Sequence, residues 1–188
     1  PLDFRDAWLS EGFATYATDL VYQSYSDYDY YLNNIQLEIE TYFDRCVESD
    51  DVIPLYDYPR ELTGNYPYTI YMKGSAVLHL LRYELGDSLF FAGIREYMQD
   101  FRYGCASTDM LQKTLEDVSG RGLGWFFDQW VYGRGWPILQ ISTEKLLPES
   151  RIDASVTIKQ HQPKSFGFYN NLPIELSFVS KSDTVHRI

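Results

Sequence analysis

Residues 8–16 read Trp-Leu-Ser-Glu-Gly-Phe-Ala-Thr-Tyr, so that one carboxylate, Glu11, lies among aromatic and aliphatic side chains. The apolar residues recur at spacings of three and four, which predicts one face of a helix over residues 7–24. A single glutamate on a helix is usually solvated, but Glu11 is embedded in a helix whose apolar face is expected to turn inward. A carboxylate held against an apolar body needs a cation as partner, and a metal ion is an efficient one.

Helical spacing continues over the first two thirds of the chain. It predicts a second amphipathic helix over residues 28–46, preceded by a capping box of Ser26 and Asp29. Residues 49–67 contain three prolines and a glycine, which predicts a long irregular loop. Further helices are expected over residues 69–85, 87–101, from 107 or 108 to 119, and 123–132.

The period changes after Pro137. Residues 138–142, 152–160 and 172–180 alternate between apolar and polar types, which is typical of antiparallel strands. Three strands do not easily cover a hydrophobic face alone, so they either pack on the helical body or belong to a larger sheet. We therefore expect a mainly α fold with a C-terminal β segment, divided into residues 1–137 and 138–188.

Composition and charge exclude several classes of protein. The chain has 188 residues, of which 45% are hydrophobic and 23% charged, as in globular proteins. No run of about 18 apolar residues exists that would span a membrane. The net charge of −11 argues against a nucleic-acid partner, which requires a basic surface. Fourteen of the acidic residues lie in the first 70 positions, where they suit a cationic ligand or simply form a solvated surface.

Cysteine usage does not identify a metal site or a compartment. Cys46 and Cys105 form neither a C-x-x-C motif nor a zinc-ligand spacing, and they allow one disulfide at most.

Three ordered motifs carry a resemblance to a known family. Residues 8–16 resemble the W-L-x-E-G-F-A-x-Y signature of the gluzincin aminopeptidases, the family of aminopeptidase N. Residues 71–78 look like the Y-x-K-G-x-x-x-L segment of that family. Residues 126–130, followed by a glycine and Pro137, resemble the F-F-x-Q-W close of its catalytic domain. Residues 139–188 resemble, more weakly, the β-rich domain that follows in many members.

The resemblance implies a fold, a cofactor and two site residues. It implies the helical half of a thermolysin-like metallopeptidase domain, followed by antiparallel strands. Glu11 would be the third protein ligand of a catalytic zinc, after the two histidines of an H-E-x-x-H helix. Tyr71 would donate a hydrogen bond to the oxyanion that forms when water attacks a peptide carbonyl, although ordinary packing is the simpler role for a tyrosine. Tyr66 has a much weaker claim to face the same cleft.

The sequence departs from the family pattern in one respect, because it contains no H-E-x-x-H. Its histidines are His79, His161 and His186, and none has another histidine four residues away. His79 lies among leucines, which favours a packed core histidine over a ligand. We therefore expect a carboxyl-side part of a catalytic domain, with zinc and peptide substrates belonging to the parent protein. This chain alone is expected to bind no zinc and to be inactive.

Three interpretations remain open at the level of sequence. The parent protein is a zinc aminopeptidase, a catalytically inactive relative that serves as a binding or scaffold module, or an aromatic-rich binding module whose resemblance misleads. The sequence upstream of residue 1 distinguishes these interpretations. An intact H-E-x-x-H ending about 18 residues before Glu11 would fit the zinc aminopeptidase and neither of the other two.

Overall fold

The computed structural model of the chain describes residues 1, 3–49, 52–58, 67–145, 154–174, 176–179 and 184–187. Helices dominate the first two thirds of the chain and strands follow, which confirms the predicted fold class. The helices in the described residues are α1 (Trp8–Tyr25), α2 (Tyr28–Ser49), α3 (Gly74–Leu85), α4 (Asp87–Asp100), α5 (Thr108–Ser119) and α6 (Gly124–Phe127). In this part of the chain, no helix combines the length and apolar character needed to cross a membrane.

Side-chain caps define the starts of two helices. At the start of α2, the Asp27 carboxylate accepts a hydrogen bond from the backbone N–H of Tyr30 at 2.8 Å. The capping residue is therefore Asp27, one position after Ser26, and the predicted capping box of Ser26 and Asp29 is wrong. Ser107 caps α5 by accepting from the N–H of Met110 at 3.3 Å, which decides between the two starts that the sequence allowed.

Two predicted helices contain a π-helical turn. Thr69–Lys73 is π-helical and leads directly into α3, and Asp128–Tyr132 is π-helical and follows α6. A π-helical turn accommodates one extra residue in the helical ladder, is rare, and is frequent at functional sites. Both turns lie in stretches that carry the second and third motifs.

Helix α1 crosses the second motif through a contact between two glycines, which we call the glycine crossing: Gly12 against Gly74. A Cβ added at Gly12 would lie 2.9 Å from the Cα of Gly74 and 3.4 Å from the carbonyl oxygen of Ile70. Real Cβ contacts of 2.9 Å essentially never occur, so only glycine permits the two backbones to approach this closely. The first and second motifs therefore touch through their backbones.

A buried hydrogen-bond network fixes the start of α1 against α5. The Trp8 indole N–H donates to the Thr108 hydroxyl at 2.9 Å. The Thr108 hydroxyl and backbone N–H both donate to one carboxylate oxygen of Asp6 at 2.8 Å. Trp8 is fully buried and Asp6 nearly so, which makes these bonds costly to break.

One main hydrophobic core joins all six helices. Helices α4 and α5 approach closely at Gly93, where an added Cβ would meet the Leu115 side chain at 2.6 Å. The largest fully buried side chains of the core are Trp8, Tyr31, Phe90, Phe126 and Phe127.

The β segment forms two antiparallel pairs. Strand β1 (Leu139–Lys145) pairs with β2 (Ala154–Gln160), and β3 (Leu176–Val179) pairs with β4 (Thr184–Arg187). All three predicted strands are present, and β4 was not predicted. Residues 152, 153, 175 and 180 of the predicted strands lie outside the described residues.

The connection between β2 and β3 packs on the helical body. The rings of Trp130 and Tyr169 lie 5.0 Å apart, and the Gln129 side chain donates to the carbonyl oxygen of Asn171 at 3.0 Å. Of the two options left open by the sequence, packing on the helical body therefore applies to this connection. The domain border near residue 137 stays a prediction.

A pair of carboxyl groups lies where α1, α2 and α3 meet. The Ser75 hydroxyl donates to Asp19 at 3.2 Å, and Asp19 is 2% exposed. Oε2 of Glu38 is buried and has no hydrogen-bond partner among the described residues. Burial raises the pKa of Asp19 to about 6. Burial, with the Asp19 charge as a smaller contribution, raises the pKa of Glu38 to about 7.

We predict that Gly12→Ala lowers the free energy of unfolding of the chain by about 1–3 kcal/mol, because the added methyl group forces the two backbones apart. Gly122→Ala is the matched control, since a Cβ at Gly122 meets no atom within 4 Å. It should change stability by less than about 0.5 kcal/mol. Denaturant titration measures both, and equal effects of the two variants would contradict the glycine crossing.

We predict that Glu38→Gln stabilises the fold more at pH 8 than at pH 4. An ordinary glutamate has a pKa near 4.3, so the folded state holds a proton that the unfolded chain loses between about pH 4 and pH 7. The stability of the native chain therefore falls as pH rises through this window, and glutamine removes that loss. Melting temperatures at both pH values test this, with the exposed Glu96→Gln on α4 as control. A shift of equal size at pH 4 and pH 8 would contradict it.

Candidate functional site

Glu11 lies at the edge of the buried face of α1, next to the glycine crossing. Its side chain is half-buried, and its backbone carbonyl accepts a hydrogen bond from the Thr15 hydroxyl at 2.9 Å. Within the described residues, the carboxylate itself has no hydrogen-bond or ion-pair partner. Glu11 is thus a carboxylate that the rest of the described chain leaves available.

Tyr71 is the middle residue of the π-helical turn Thr69–Lys73. It is half-buried and packs against the main core. On one side of it in sequence, the Ile70 carbonyl approaches Gly12, and three residues later Gly74 touches Gly12 directly. The glycine crossing therefore brings the segment that carries Tyr71 against the segment that carries Glu11. The roles assigned to the two side chains stay predictions.

The described residues give no site role to the remaining sequence candidates. Tyr66 lies outside the described residues. The Nδ1 atom of His79 is 2.6 Å from the Tyr31 hydroxyl, and burial lowers the pKa of this histidine. His161 is exposed. In the described part of the chain, no three His, Cys, Asp or Glu side chains are grouped so that they could hold a metal ion.

Lys73 is a site-adjacent residue that sequence reasoning did not single out. It is only 5% exposed, and its ammonium donates to the carbonyl oxygen of Gly133 at 3.0 Å. Burial lowers the pKa of Lys73 to about 7, with the Cys46 thiol acting in the opposite direction. Two signals were available: Lys73 is the lysine of the Y-x-K-G segment, and it is a charged residue at the start of the strongly apolar stretch over residues 69–81.

The hydrogen bond from Lys73 to Gly133 joins the second motif to the segment that follows the third motif. Gly133 follows the π-helical turn Asp128–Tyr132 directly. In that turn, the Val131 carbonyl accepts hydrogen bonds from the N–H groups of Leu55 and Tyr56 at 3.0 and 3.2 Å. The described part of the long loop is thus held by the same turn that leads to the Lys73 acceptor.

Comparison with known proteins places these motifs in context. The chain is 24% identical over 176 residues to glutamyl aminopeptidase of Sus scrofa, which covers 91% of this chain and 19% of the relative. It is 27% identical to the alanine/arginine aminopeptidase of Saccharomyces cerevisiae, in an alignment that covers 85% of this chain and 18% of the relative. It is 29% identical to the puromycin-sensitive aminopeptidase of Caenorhabditis elegans, in an alignment that covers 74% of this chain and 15% of the relative. The chain thus spans less than a fifth of the length of these relatives.

Solved structures share the fold. An M1 zinc metallopeptidase of Deinococcus radiodurans superposes with a TM-score of 0.58 and 29% identity, over 72% of this chain and 29% of that protein. A mutant of that metallopeptidase, solved bound to a Tyr-Ser-Ala substrate, gives the same TM-score.

The sequence profile of the Peptidase family M1 domain matches residues 3–130, which are more than half of the chain. This match excludes the interpretation in which the family resemblance misleads. The predicted kinship with the gluzincin aminopeptidases is confirmed, and the chain belongs to peptidase family M1.

Proposed function

We propose that this chain forms the carboxyl-side part of the catalytic domain of a zinc aminopeptidase, which removes N-terminal residues from peptides. The profile match over residues 3–130 and the aminopeptidase relatives support this function. In this proposal, residues 1–137 belong to the catalytic domain and residues 138–188 begin the following β-rich domain. The observation that carries the proposal is the carboxylate of Glu11, which has no hydrogen-bond or ion-pair partner among the described residues and lies beside the backbone contact of two family motifs.

The donor chemistry of Glu11 fits one zinc ligand. A half-buried carboxylate that the described residues leave without a partner is able to accept a metal ion. Catalytic zinc sites use two histidines and a glutamate as one common ligand set. The described residues bring no three such groups together, so we place the other two ligands elsewhere in the parent protein. When bound, zinc lowers the pKa of water to near neutral and thereby supplies a nucleophile.

The proposed role of Tyr71 is that of an oxyanion donor. A phenolic O–H donates one hydrogen bond, and a donor is effective when it is fixed before charge develops in the transition state. The π-helical turn that carries Tyr71 is fixed against α1 by the glycine crossing. This supports a donor whose distance from α1 is set by a backbone contact.

We predict that the two residues affect the complete enzyme differently. Tyr71→Phe should lower kcat by roughly 10²–10³-fold with little change in KM and with zinc retained, because one transition-state donor is lost. Glu11→Gln should lower zinc content and activity together, because it weakens a metal ligand. Steady-state kinetics on an aminoacyl reporter, with zinc measured for each variant, tests both.

Matched controls are available for these two substitutions. Tyr83→Phe changes a tyrosine on the exposed side of α3, and Glu96→Gln changes an exposed glutamate on α4. Both should leave activity and zinc content unchanged. A Tyr71→Phe enzyme with near-normal kcat would make Tyr71 a packing residue. An inactive complete protein with no upstream H-E-x-x-H would instead favour the scaffold relative.

We predict that the 188-residue chain alone holds no stoichiometric zinc after dialysis and cleaves no aminoacyl amide. A single carboxylate does not supply the three protein ligands that a catalytic zinc requires. Elemental analysis of the purified chain measures the zinc content. One tightly bound zinc per chain would contradict the prediction.

A further inference from the structure

Stability does not explain why a lysine occupies position 73. Its side chain is almost completely enclosed, and the acceptor of its amine is the Gly133 carbonyl, a neutral group. Removing an ammonium group from water is costly, and even buried ion pairs are often replaced by apolar side chains without loss of stability. Buried polar groups that cost stability are common where function requires a fixed geometry.

The hydrogen bond of Lys73 joins two parts of the chain that are 60 residues apart in sequence. Its donor lies at the end of the π-helical turn Thr69–Lys73, two residues after Tyr71. Its acceptor follows the π-helical turn Asp128–Tyr132. One hydrogen bond therefore connects the turn that carries Tyr71 with the end of the helical body.

This bond adds a constraint that the glycine crossing lacks. Contact between Gly12 and Gly74 sets the distance between α1 and the turn. Because neither glycine carries a side chain, this contact contributes no interlocking side chains that would oppose rotation about the turn's axis. A hydrogen bond weakens steeply as its angle departs from linearity, so it restrains rotation as well as distance. Tyr71 is the side chain whose direction such a rotation would change.

We propose that Lys73 is a positioning residue, whose hydrogen bond to the Gly133 carbonyl fixes the rotation of the π-helical turn and so aims the Tyr71 hydroxyl. The inference rests on the proposed function, because it assigns Lys73 an effect that acts through Tyr71. Lys73 itself is enclosed in protein and need not touch substrate.

The test compares four variants of the complete enzyme: Lys73→Met, Tyr71→Phe, the double variant, and Lys113→Met. Methionine keeps the length and apolar stem of lysine and removes the donor. Lys113 is the matched control, because it is an exposed lysine of α5 paired with Asp117. For each variant, kcat, KM and zinc content are measured.

Lys73→Met should lower kcat by about tenfold or more, since small misplacements of a catalytic group are costly, and should leave KM and zinc content nearly unchanged. In the Tyr71→Phe background the same substitution should have almost no further effect on kcat. A merely structural role would lower kcat by the same factor in both backgrounds. Lys113→Met should leave all three quantities unchanged.

Thermal unfolding gives a second readout that does not depend on activity. The folded state releases the Lys73 proton near pH 7, whereas an ordinary lysine releases it near pH 10.4. The destabilisation caused by Lys73 is therefore greatest below pH 7 and fades as pH rises towards 10.4. At pH 6, Lys73→Met should melt at the same or a higher temperature than the native enzyme. At pH 9, the melting temperature of the variant relative to the native enzyme should be lower than it is at pH 6.

Each contrary outcome has a distinct meaning. A near-normal kcat for Lys73→Met, or a loss of equal size with and without Tyr71, would overturn the positioning role and leave the proposed function intact. A Lys73→Met enzyme that fails to fold would also overturn it, by making Lys73 a residue required for stability. A near-normal kcat for Tyr71→Phe would reject the proposed role of Tyr71, and the inference about Lys73 with it.

Discussion

The contact between Gly12 and Gly74 is the constraint on which the candidate site depends. A side chain at either position would separate α1 from the turn before α3, since an added Cβ at each would lie 2.9 Å from the Cα of the other. The glycines of the first two motifs therefore have a joint physical explanation, because each is required by the other. This contact also sets the backbone positions of the neighbouring residues, Glu11 and Lys73.

Ionisable side chains are buried near this close approach of the two backbones. Lys73 on one side of Gly74, and Ser75 with its partner Asp19 on the other, are nearly or fully buried. The pKa of Lys73 is lowered to about 7, while that of Glu38 is raised to about 7. At low pH the buried amine is charged, and at high pH the carboxyls are charged. A region with such competing demands is typical of a functional site rather than of an optimised core.

The sequence predicted what depends on local periodicity and missed what depends on distant contacts. Helices α1, α2, α4 and α5 follow from apolar spacing, and Glu11 stood out because its immediate neighbours are apolar. The two π-helical turns were predicted as ordinary helix, because each lies at one end of its helix, where too few residues remain beyond the turn to reveal a shift in the apolar pattern. Burial of Lys73 depends on Gly133, which is remote in sequence. Strand β4 is defined by its pairing with β3.

The frame that carries Glu11 and Tyr71 consists of contacts within this chain. Asp6 and Trp8 fix the start of α1 on Thr108, the glycine crossing fixes α1 on the turn of Tyr71, and Lys73 ties that turn to Gly133. None of these contacts requires a metal ion or another part of the protein. The proposed metal ligand lies on α1 and the proposed oxyanion donor lies on the π-helical turn, so two different elements of this frame carry the two side chains. In the proposed enzyme, loss of zinc would therefore leave the placement of Tyr71 to protein contacts alone.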